Sequence, residues 1–295
     1  MLAAPVNPCD ILFIRGAHGE EPVLPHSRAG LEGCGVVVES RAEGFAAGDQ
    51  VILLYGAGAW GRFLTAPAER FLLLPQRLDP MQAAMLKINP LTAYLLLHPD
   101  DVPLQRGDWV VQNAANSGVG RCFIQLAHQM GLRTVNFVRR AELRRAELMG
   151  LGADLVLDEE DEQALPKALE AIRYQRPVLA ANAVGGASAL RLMDLLRAEG
   201  TLMTYGAMGG RELTLPANWL IFKNIRLRGL WYFHWLVTHS PSEHRAVYAY
   251  LASLVATGRL QQPVDSVFQI DNVQEAVLRA RGTARRGKVI LRLGE

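Results

Sequence analysis

Hydrophobic and polar positions follow two different patterns along the chain. Up to about residue 85, short apolar runs such as CGVVVES and GDQVILLYG are separated by Gly, Pro and Asp, which predicts strands joined by turns. From about residue 91, short apolar runs alternate with longer amphipathic segments of helical period. In this second part the predicted strands are 109–114, 134–138, 154–157, 178–183, 201–206 and 225–230.

This alternation of strands and helices predicts an α/β fold. Such connections are right-handed crossovers, which place helices on both faces of a parallel sheet. Six strands over residues 91–232 match a doubly wound parallel sheet of the Rossmann type. The tail continues with a helix, a short strand, a second helix and a last strand. We expect this tail, residues 233–295, to join residues 1–90 in a second, mostly β domain.

The composition excludes several classes of protein. The 295 residues carry a net charge of +2, too close to neutral to indicate a nucleic-acid or membrane surface, so we expect neither partner. No apolar run reaches the roughly 18 residues that a membrane span needs. Cys9, Cys34 and Cys122 form no C-x-x-C pair or Cys/His cluster, which argues against a disulfide framework and a structural zinc site.

The first residues, MLAAPVNPCD, contain no basic region followed by a long apolar core and therefore predict no secretory signal. They read as the middle and the end of a strand. The scattered cysteines fit a reducing compartment, so we expect a cytoplasmic protein.

The stretch VVQNAANSGVGR, residues 110–121, runs from an apolar strand into a turn of small residues and then into a helix. The free backbone N–H groups at such a helix start suit a phosphate. The strict fingerprint G-x-G-x-x-G is absent, because its glycine positions hold Ala115, Ser117 and Gly120, with Gly118 added between them. The loop alone fits phosphate binding and simple packing equally well.

The end of the next predicted strand changes this balance. Arg139 lies 21 residues after Gly118, where dinucleotide-binding folds place an acidic residue for the ribose of NAD or an arginine for the 2′-phosphate of NADP. Arg139 and Arg140 could both pair with phosphate oxygens through their guanidinium groups. The alternative is a solvent-exposed basic helix start. Together, loop and arginines favour NADPH over NADH.

Two further turns of small residues, NAVGG (182–186) and TYGAMGG (204–210), follow other predicted strands. Ligands collect at the carboxyl ends of parallel strands, so these turns are consistent with a cofactor cleft.

With these features, the chain resembles the medium-chain dehydrogenase/reductase superfamily, and within it the zinc-free, NADPH-dependent 2-enoyl thioester reductases of mitochondrial type. The stretches that carry the resemblance cover nearly the whole chain in order: PVNPCDILFIRG, GDWVVQNAANSGVG, LRTVNFVRR, NAVGG, GTLMTYGAM, LIFKNIRLRGLW and RRGKVIL. The resemblance implies a Rossmann NADPH-binding domain and a GroES-like catalytic domain. It also implies reduction of the C2=C3 bond of an enoyl-CoA or enoyl-acyl-carrier-protein, as in fatty acid synthesis, with hydride added to Cβ and a proton to Cα.

The resemblance implies cofactor contacts residue by residue. The pyrophosphate contacts would be Asn116, Ser117, Gly118, Val119 and Gly120, and the 2′-phosphate contacts Arg139 and Arg140. The implied nicotinamide-side residues are Tyr205, Gly206, Ala207, Met208, Leu230, Trp231 and Tyr232, and Asn89 and Lys288 complete the set.

The chain departs from its relatives at two chemically important places. Where zinc-dependent relatives carry a ligating cysteine and the histidine of a Gly-His-Glu motif, it has Asn7 and Leu31, so we expect no metal. Where the thioester reductases carry a catalytic tyrosine in a segment like IRGxYG, this chain reads IRGAHG, which places His18 at that position. His18 is our candidate catalytic group, since imidazole can stabilise an enolate or supply a proton near neutrality. An inert loop histidine is the alternative, and Trp60 is expected to shape the pocket.

The resemblance also concerns length, assembly and rival functions. Relatives begin earlier, with two further strands, so we predict a catalytic domain shortened at its N-terminus and leave organelle targeting open. They usually form homodimers by pairing the last strand of the nucleotide-binding sheet, here around IRLRGLW. Two alternatives to thioester reduction stay open: an NADPH:quinone oxidoreductase and a non-catalytic NADPH-binding protein.

Overall fold

The computed structural model describes residues 1–19, 21–173, 175–210, 212–282 and 285–294. By its internal contacts the chain divides into two compact units. Unit 1 comprises Met1–Leu91 and His239–Glu295, and unit 2 comprises Thr92–Thr238. The domain bounds expected from the sequence, 1–90 with 233–295 and 91–232, stay a prediction beside this division.

The described residues form helices and strands throughout both units. The strands are β1 (Ala3–Pro5), β2 (Cys34–Val36), β3 (Gln50–Leu53), β4 (Phe71–Leu73), β5 (Trp109–Gln112), β6 (Arg133–Val138), β7 (Leu155–Asp158), β8 (Leu179–Asn182), β9 (Thr201–Thr204), β10 (Arg226–Gly229), β11 (Val264–Gln269) and β12 (Lys288–Arg292). The helices are α1 (Pro8–Ile14), α2 (Pro80–Ala84), α3 (Asn89–Leu97), α4 (Gly118–Gln129), α5 (Arg145–Gly150), α6 (Ala164–Ala171), α7 (Gly186–Leu195), α8 (Ala217–Lys223), α9 (Tyr232–Thr238), α10 (Pro241–Ala256) and α11 (Val273–Arg281).

Unit 2 contains the predicted parallel sheet. Its six strands lie in the order β10-β9-β8-β5-β6-β7, and every neighbouring pair is parallel. From β5 the chain adds strands on one side up to β7, and from β8 it adds them on the other side up to β10. The position between β5 and β8, where this order changes side, is the switch point at which doubly wound sheets bind ligands. Residues of the central strands such as Val111, Phe137 and Ala180 are fully buried, as expected for strands covered on both faces. The predicted α/β class with a Rossmann-type sheet is confirmed.

Unit 1 is built on a second six-stranded sheet in the order β11-β12-β1-β2-β3-β4. The β11–β12 pair is parallel, and the other pairs are antiparallel. The last strand, β12, lies between β11 and β1, so the two ends of the sequence share one sheet. Leu53, Val289 and Leu291 are among the buried residues of its core.

Helices α1 and α2 lie in the part of unit 1 that the sequence predicts to be mostly β. Residues 8–14 form helix α1, whereas the stretch MLAAPVNPCD, residues 1–10, reads in sequence as the middle and the end of a strand. Pro8 occupies the first helical turn, where its missing N–H costs nothing, and the Asp10 carboxylate accepts a hydrogen bond from the backbone N–H of Asn7 at 2.7 Å. The sequence Asn-Pro-Cys-Asp is therefore a helix start. The spacing of three residues between Asn7 and Asp10 was the signal from which this helix could have been predicted.

In the described ranges, no helix has the length and the apolar character required to cross a bilayer.

Candidate cofactor and catalytic sites

The loop of residues 113–117 joins β5 to α4 at the carboxyl edge of the sheet in unit 2. Ser117 caps the helix by accepting a hydrogen bond from the backbone N–H of Gly120 at 3.0 Å. The helix is 12 residues long, and the N–H groups of its first turn have no carbonyl partner inside it. Their partial positive charge faces the predicted pyrophosphate position.

Gly120 is required by the close approach of α4 to the loop. A Cβ atom at this position would lie 2.7 Å from the carbonyl oxygen of Ala114 and 2.7 Å from Cα of Ala115. These are backbone atoms, which cannot move aside as a flexible side chain would. Gly120 therefore has the packing role of the third glycine of the dinucleotide fingerprint, although the first two positions hold other residues.

A buried amide network fixes the loop to the neighbouring strand. The Asn113 side chain donates to Oδ1 of Asn182 at 2.9 Å and to Oγ of Ser188 at 2.8 Å, and its oxygen accepts from the N–H of Ala183 at 2.7 Å. Asn182 in turn donates to the Thr204 hydroxyl at 3.1 Å. These amides link the carboxyl ends of β5, β8 and β9. The sequence analysis did not assign them a role, although polar residues at the ends of apolar strands were a visible signal.

The second half of the network runs in the opposite direction across the sheet. The Gln112 amide donates to the carbonyl oxygen of Gly120 at 3.0 Å and to Oδ1 of Asn136 at 2.8 Å. Asn136 donates to the carbonyl oxygen of Leu155 at 3.1 Å. The loop is thus held from both sides by buried hydrogen bonds, which are costly to leave unmade.

The predicted 2′-phosphate residues lie directly after β6. Arg139 and Arg140 are exposed, and Arg140 has a left-handed backbone with φ of 56°. This conformation is uncommon for a residue with a side chain and concentrates at functional sites. The Asp158 carboxylate, at the end of β7, holds the turn by accepting from the N–H of Ala141 at 2.8 Å.

The loop after β9 carries four of the predicted nicotinamide-side residues, 205–208. It packs on the turn after β8, because the N–H of Met208 donates to the carbonyl oxygen of Ala183 at 3.0 Å. A Cβ on Gly206 would lie 2.9 Å from that same oxygen. Leu230, which follows β10, joins this edge through its N–H, which donates to the carbonyl oxygen of Thr204 at 2.9 Å. Trp231 and Met208 are largely exposed, whereas Tyr232 is buried.

Tyr205 provides an observation that points to a ligand. Its phenolic oxygen is buried near Ser117, yet it makes no hydrogen bond of normal geometry with any described residue. Burial raises the pKa of this phenol well above its usual range, so it is protonated and able to donate. A buried donor without an acceptor is costly. Together with the tight cradle at Gly120, it fits the phosphate and ribose oxygens of a dinucleotide.

Unit 1 contains a buried cluster of charged and amide side chains around Glu32. One carboxylate oxygen accepts from the Asn7 amide at 2.7 Å, and the other accepts from the N–H of Ile88 at 2.9 Å. The Lys288 ammonium donates to the Asn7 amide oxygen. Burial raises the pKa of Glu32 and lowers that of Lys288, and the attraction between their charges opposes both shifts.

The cluster continues to Asp10 and Lys87. Asp10 accepts from the N–H groups of Asn7 and Leu31 at 2.7 and 2.8 Å, and the Lys87 ammonium donates to the Leu31 carbonyl oxygen at 2.5 Å. Burial raises the pKa of Asp10 to about 7. Two carboxyl groups and two amines therefore join the segments around residues 7–10, 31–32, 87–88 and 288.

This cluster does not fit a zinc ion. The Lys288 ammonium group, which is hydrogen-bonded to Asn7 beside Glu32, would repel a metal cation. Amide and amine groups are also poor zinc ligands. Among the described residues, no three His, Cys, Asp or Glu side chains gather in a way that could hold a metal.

The four remaining predicted site residues also lie in unit 1. His18 follows α1 and is half-buried, and burial together with the Lys87 charge lowers its pKa below the ordinary 6.5. The Trp60 indole donates to the carbonyl oxygen of Pro5 at 3.2 Å, so its ring offers an apolar wall and no free donor. Asn89 is buried, and its amide donates to Oε1 of Gln262 at 2.8 Å. Lys288 belongs to the buried cluster described above.

The predicted residues of unit 2 thus share one edge of the parallel sheet, whereas His18, Trp60, Asn89 and Lys288 belong to unit 1. Sequence reasoning missed the residues that position these groups. Examples are Asn113 and Asn182, and Arg121, a buried arginine directly after Gly120.

Comparisons with known proteins agree with this geometry. The family described as zinc-binding dehydrogenase matches residues 118–252. The mitochondrial enoyl-acyl-carrier-protein reductase of Rattus norvegicus is 39% identical over 94% of this chain and 75% of its own length. That of Dictyostelium discoideum is 35% identical over 99% of this chain and 85% of its own. The names place these relatives in mitochondria, which gives no support to the cytoplasmic expectation.

Solved structures of thioester and quinone reductases are also similar to this chain. The complex of Etr1p with NADP and crotonyl-CoA is 26% identical, with a TM-score of 0.86 over 99% of this chain and 89% of that one. The Etr1p/Etr2p heterodimer, a mitochondrial 2-enoyl thioester reductase of Candida tropicalis, is 25% identical, with the same TM-score and coverage. A mycobacterial quinone oxidoreductase is 26% identical with a TM-score of 0.83, over 99% of this chain and 89% of its own.

The role of Gly120 can be tested by stability. We expect Gly120→Ala to lower the free energy of unfolding by roughly 1–3 kcal/mol, because its Cβ would overlap backbone atoms at 2.7 Å. Gly150→Ala, in a helix with open space around the new atom, should be neutral or stabilising by up to about 1 kcal/mol. Urea denaturation followed by circular dichroism measures both. Equal effects of the two substitutions would contradict the close-approach argument.

Proposed function

The chain belongs to the enoyl-acyl-carrier-protein reductase family of the medium-chain dehydrogenase/reductase superfamily, and we propose that it reduces 2-enoyl thioesters with NADPH. The product would be the saturated acyl thioester of coenzyme A or of acyl-carrier protein. One observation carries the proposal: a phosphate-type loop and two arginines stand at adjacent strand ends of a doubly wound sheet.

The residues of unit 2 fit this cofactor. The first turn of α4 would face the pyrophosphate, and the Tyr205 hydroxyl has an unused proton to donate. Arg139 and Arg140 would take the 2′-phosphate, for which a guanidinium fork is well shaped. This arrangement supports the preference for NADPH over NADH.

The reaction adds a hydride to Cβ and a proton to Cα, and negative charge develops on the thioester oxygen between these steps. NADPH supplies the hydride when it is bound. The protein must orient the thioester, stabilise the developing charge with donors already in place, and supply the proton. We assign the last task to His18 and the shaping of the acyl pocket to Trp60. Asn89 and Lys288 stay candidate cofactor contacts, whose side chains are held by Gln262 and Asn7.

A second candidate function is supported by the likeness to the mycobacterial quinone oxidoreductase, whose TM-score of 0.83 is close to that of Etr1p. A histidine in place of the family tyrosine weakens the thioester assignment, and reduction of a quinone ring needs no acyl pocket. We rank it second because the curated relatives at 35–39% identity are thioester reductases. A non-catalytic NADPH-binding protein ranks third.

We also propose that the chain forms a homodimer through β10. All four residues of this edge strand are exposed, and the neighbouring Phe222, Ile221 and Trp231 expose large apolar surfaces. An open strand with such neighbours invites pairing with another chain. Sedimentation of the full chain at micromolar concentration should show a dimer, and a monomer under those conditions overturns this part of the proposal.

Turnover with defined substrates tests the function. We expect the purified chain to oxidise NADPH with crotonyl-CoA, and to show kcat/KM at least about tenfold higher for NADPH than for NADH. Replacing both Arg139 and Arg140 by Met should remove this preference and leave the NADH value unchanged. Turnover of naphthoquinone alone would favour the second candidate function. NADPH binding with no turnover of either substrate would favour the non-catalytic one.

The role of His18 predicts a particular pH dependence. Since its pKa is lowered below 6.5, the imidazolium acid is lost as the pH rises through that lowered pKa, so kcat should already fall between mildly acidic pH and neutrality. His18→Tyr should keep its proton to higher pH and flatten this decline, because a phenol has a pKa of about 10. His18→Phe should lower kcat by roughly a hundredfold.

The control for this series is His26→Phe, an exposed histidine in the same unit, which should leave kcat unchanged. The acid role is ruled out if His18→Phe lowers kcat by less than about threefold.

A further inference from the structure

Arg121 lies in the first turn of α4, next to the proposed pyrophosphate loop. Its side chain is only 5% exposed. One guanidinium nitrogen donates to the carbonyl oxygen of Asn116, inside the loop. The other two donate to Oε1 of Glu147 on α5, with Nε at 3.0 Å and Nη2 at 2.6 Å. All three nitrogens of the guanidinium are therefore used within unit 2.

Helix stability does not explain a cation at this position. The N-terminal end of a helix carries partial positive charge, so an arginine in the first turn is electrostatically unfavourable. Burial of the guanidinium adds a desolvation cost, which Glu147 offsets as its charged partner. The effect of Arg121 at this position is on the geometry of the loop. Its hydrogen bond fixes the backbone of Asn116, which precedes the helix cap Ser117.

Glu147 also contacts the second phosphate-binding feature. Its other oxygen lies 3.7 Å from Nη1 of Arg144, whose side chain is 13% exposed. Arg144 ends the short turn that begins at Arg140, one of the two proposed 2′-phosphate arginines. A single carboxylate therefore connects the loop after β5 with the turn after β6.

We propose that Arg121 and Glu147 act together as positioning residues for the dinucleotide, by fixing the Asn116 carbonyl and so holding the loop in the conformation that binds the pyrophosphate. We name the pair the loop brace. The proposal rests on the proposed NADPH-dependent function and adds to it two residues that touch neither substrate nor cofactor. Because the pyrophosphate is common to NADPH and NADH, loss of the brace should weaken the binding of both nucleotides by the same factor.

The test is direct binding of NADPH and NADH to the full chain, followed by nicotinamide fluorescence. Arg121→Met keeps most of the buried volume, leaves Glu147 paired with Arg144, and removes the hydrogen bond to Asn116. We expect its Kd for NADPH and for NADH to rise about tenfold each. With crotonyl-CoA, the KM for NADPH should rise in parallel, and kcat at saturating NADPH should not change. A merely structural role would lower thermal stability without this split.

Two further variants keep the test independent of folding. Arg121→Lys retains the charge but reaches only one partner, so the Kd values should rise about threefold. Arg133→Met is the matched control. Arg133 lies at the opposite end of β6, stacks over the Trp109 ring at 4.2 Å and is half exposed, so its replacement should leave both Kd values unchanged.

The pair can be tested as a unit with Glu147→Gln, for which we expect a rise of about threefold. If the two residues act together, the double variant should match Arg121→Met. A thirtyfold rise, the product of the single effects, would overturn the brace. So would parent-like Kd values for both Arg121 variants while the parent chain binds NADPH. Failure of the parent chain itself to bind NADPH would instead overturn the proposed function.

Discussion

The candidate cofactor site depends on the close approach of α4 to the loop that follows β5. Gly120 permits this approach, since any larger residue would overlap the backbone of Ala114 and Ala115. The approach directs the first turn of the helix toward the carboxyl edge of the sheet, where its free N–H groups can meet an anion. Buried amides on both sides, with Asn113 and Gln112 as the nearest, prevent the loop from relaxing into another conformation. The capacity of this loop to bind an anion therefore follows from the way α4 packs against it.

In unit 1 the candidate residues are positioned by a cluster of buried charges. A group of buried charges ties together α1, the segment before α3 and the start of β12, and the candidate residues His18, Asn89 and Lys288 lie on or directly after these segments. Buried charges of opposite sign need one another, so the segments are fixed relative to one another as long as the charges are paired. Within this cluster the same pairing leaves no ligand set for zinc, although the matching family is described as a zinc-binding dehydrogenase. The chemistry proposed for the chain accordingly relies on hydride transfer and a protein acid.

The proposed acid is the least usual feature of the chain. A histidine with a lowered pKa is mostly neutral near pH 7, so it holds less acid than a tyrosine would at the same place. The proposed acid belongs to unit 1 and the proposed phosphate-binding residues to unit 2, so a substitution at His18 leaves the residues proposed to bind the cofactor in place.

The sequence by itself determined the fold class, because strand–helix alternation permits few topologies, and the predicted strands 109–114 and 134–138 match β5 and β6 to within two residues. It also predicted a phosphate-binding loop at 116–120 and phosphate-binding arginines at 139–140, because the signals for both are local in sequence. Only the tertiary structure decided which residues hold them. Asn113 pairs with Asn182, 69 residues away, and Arg121 pairs with Glu147, 26 residues away. No local pattern in the sequence shows these pairings or distinguishes a buried arginine from a solvent-exposed one. Helix α1 was missed for a different reason: its start signal is local, but a segment of seven residues is too short for its hydrophobic period to distinguish a helix from a strand.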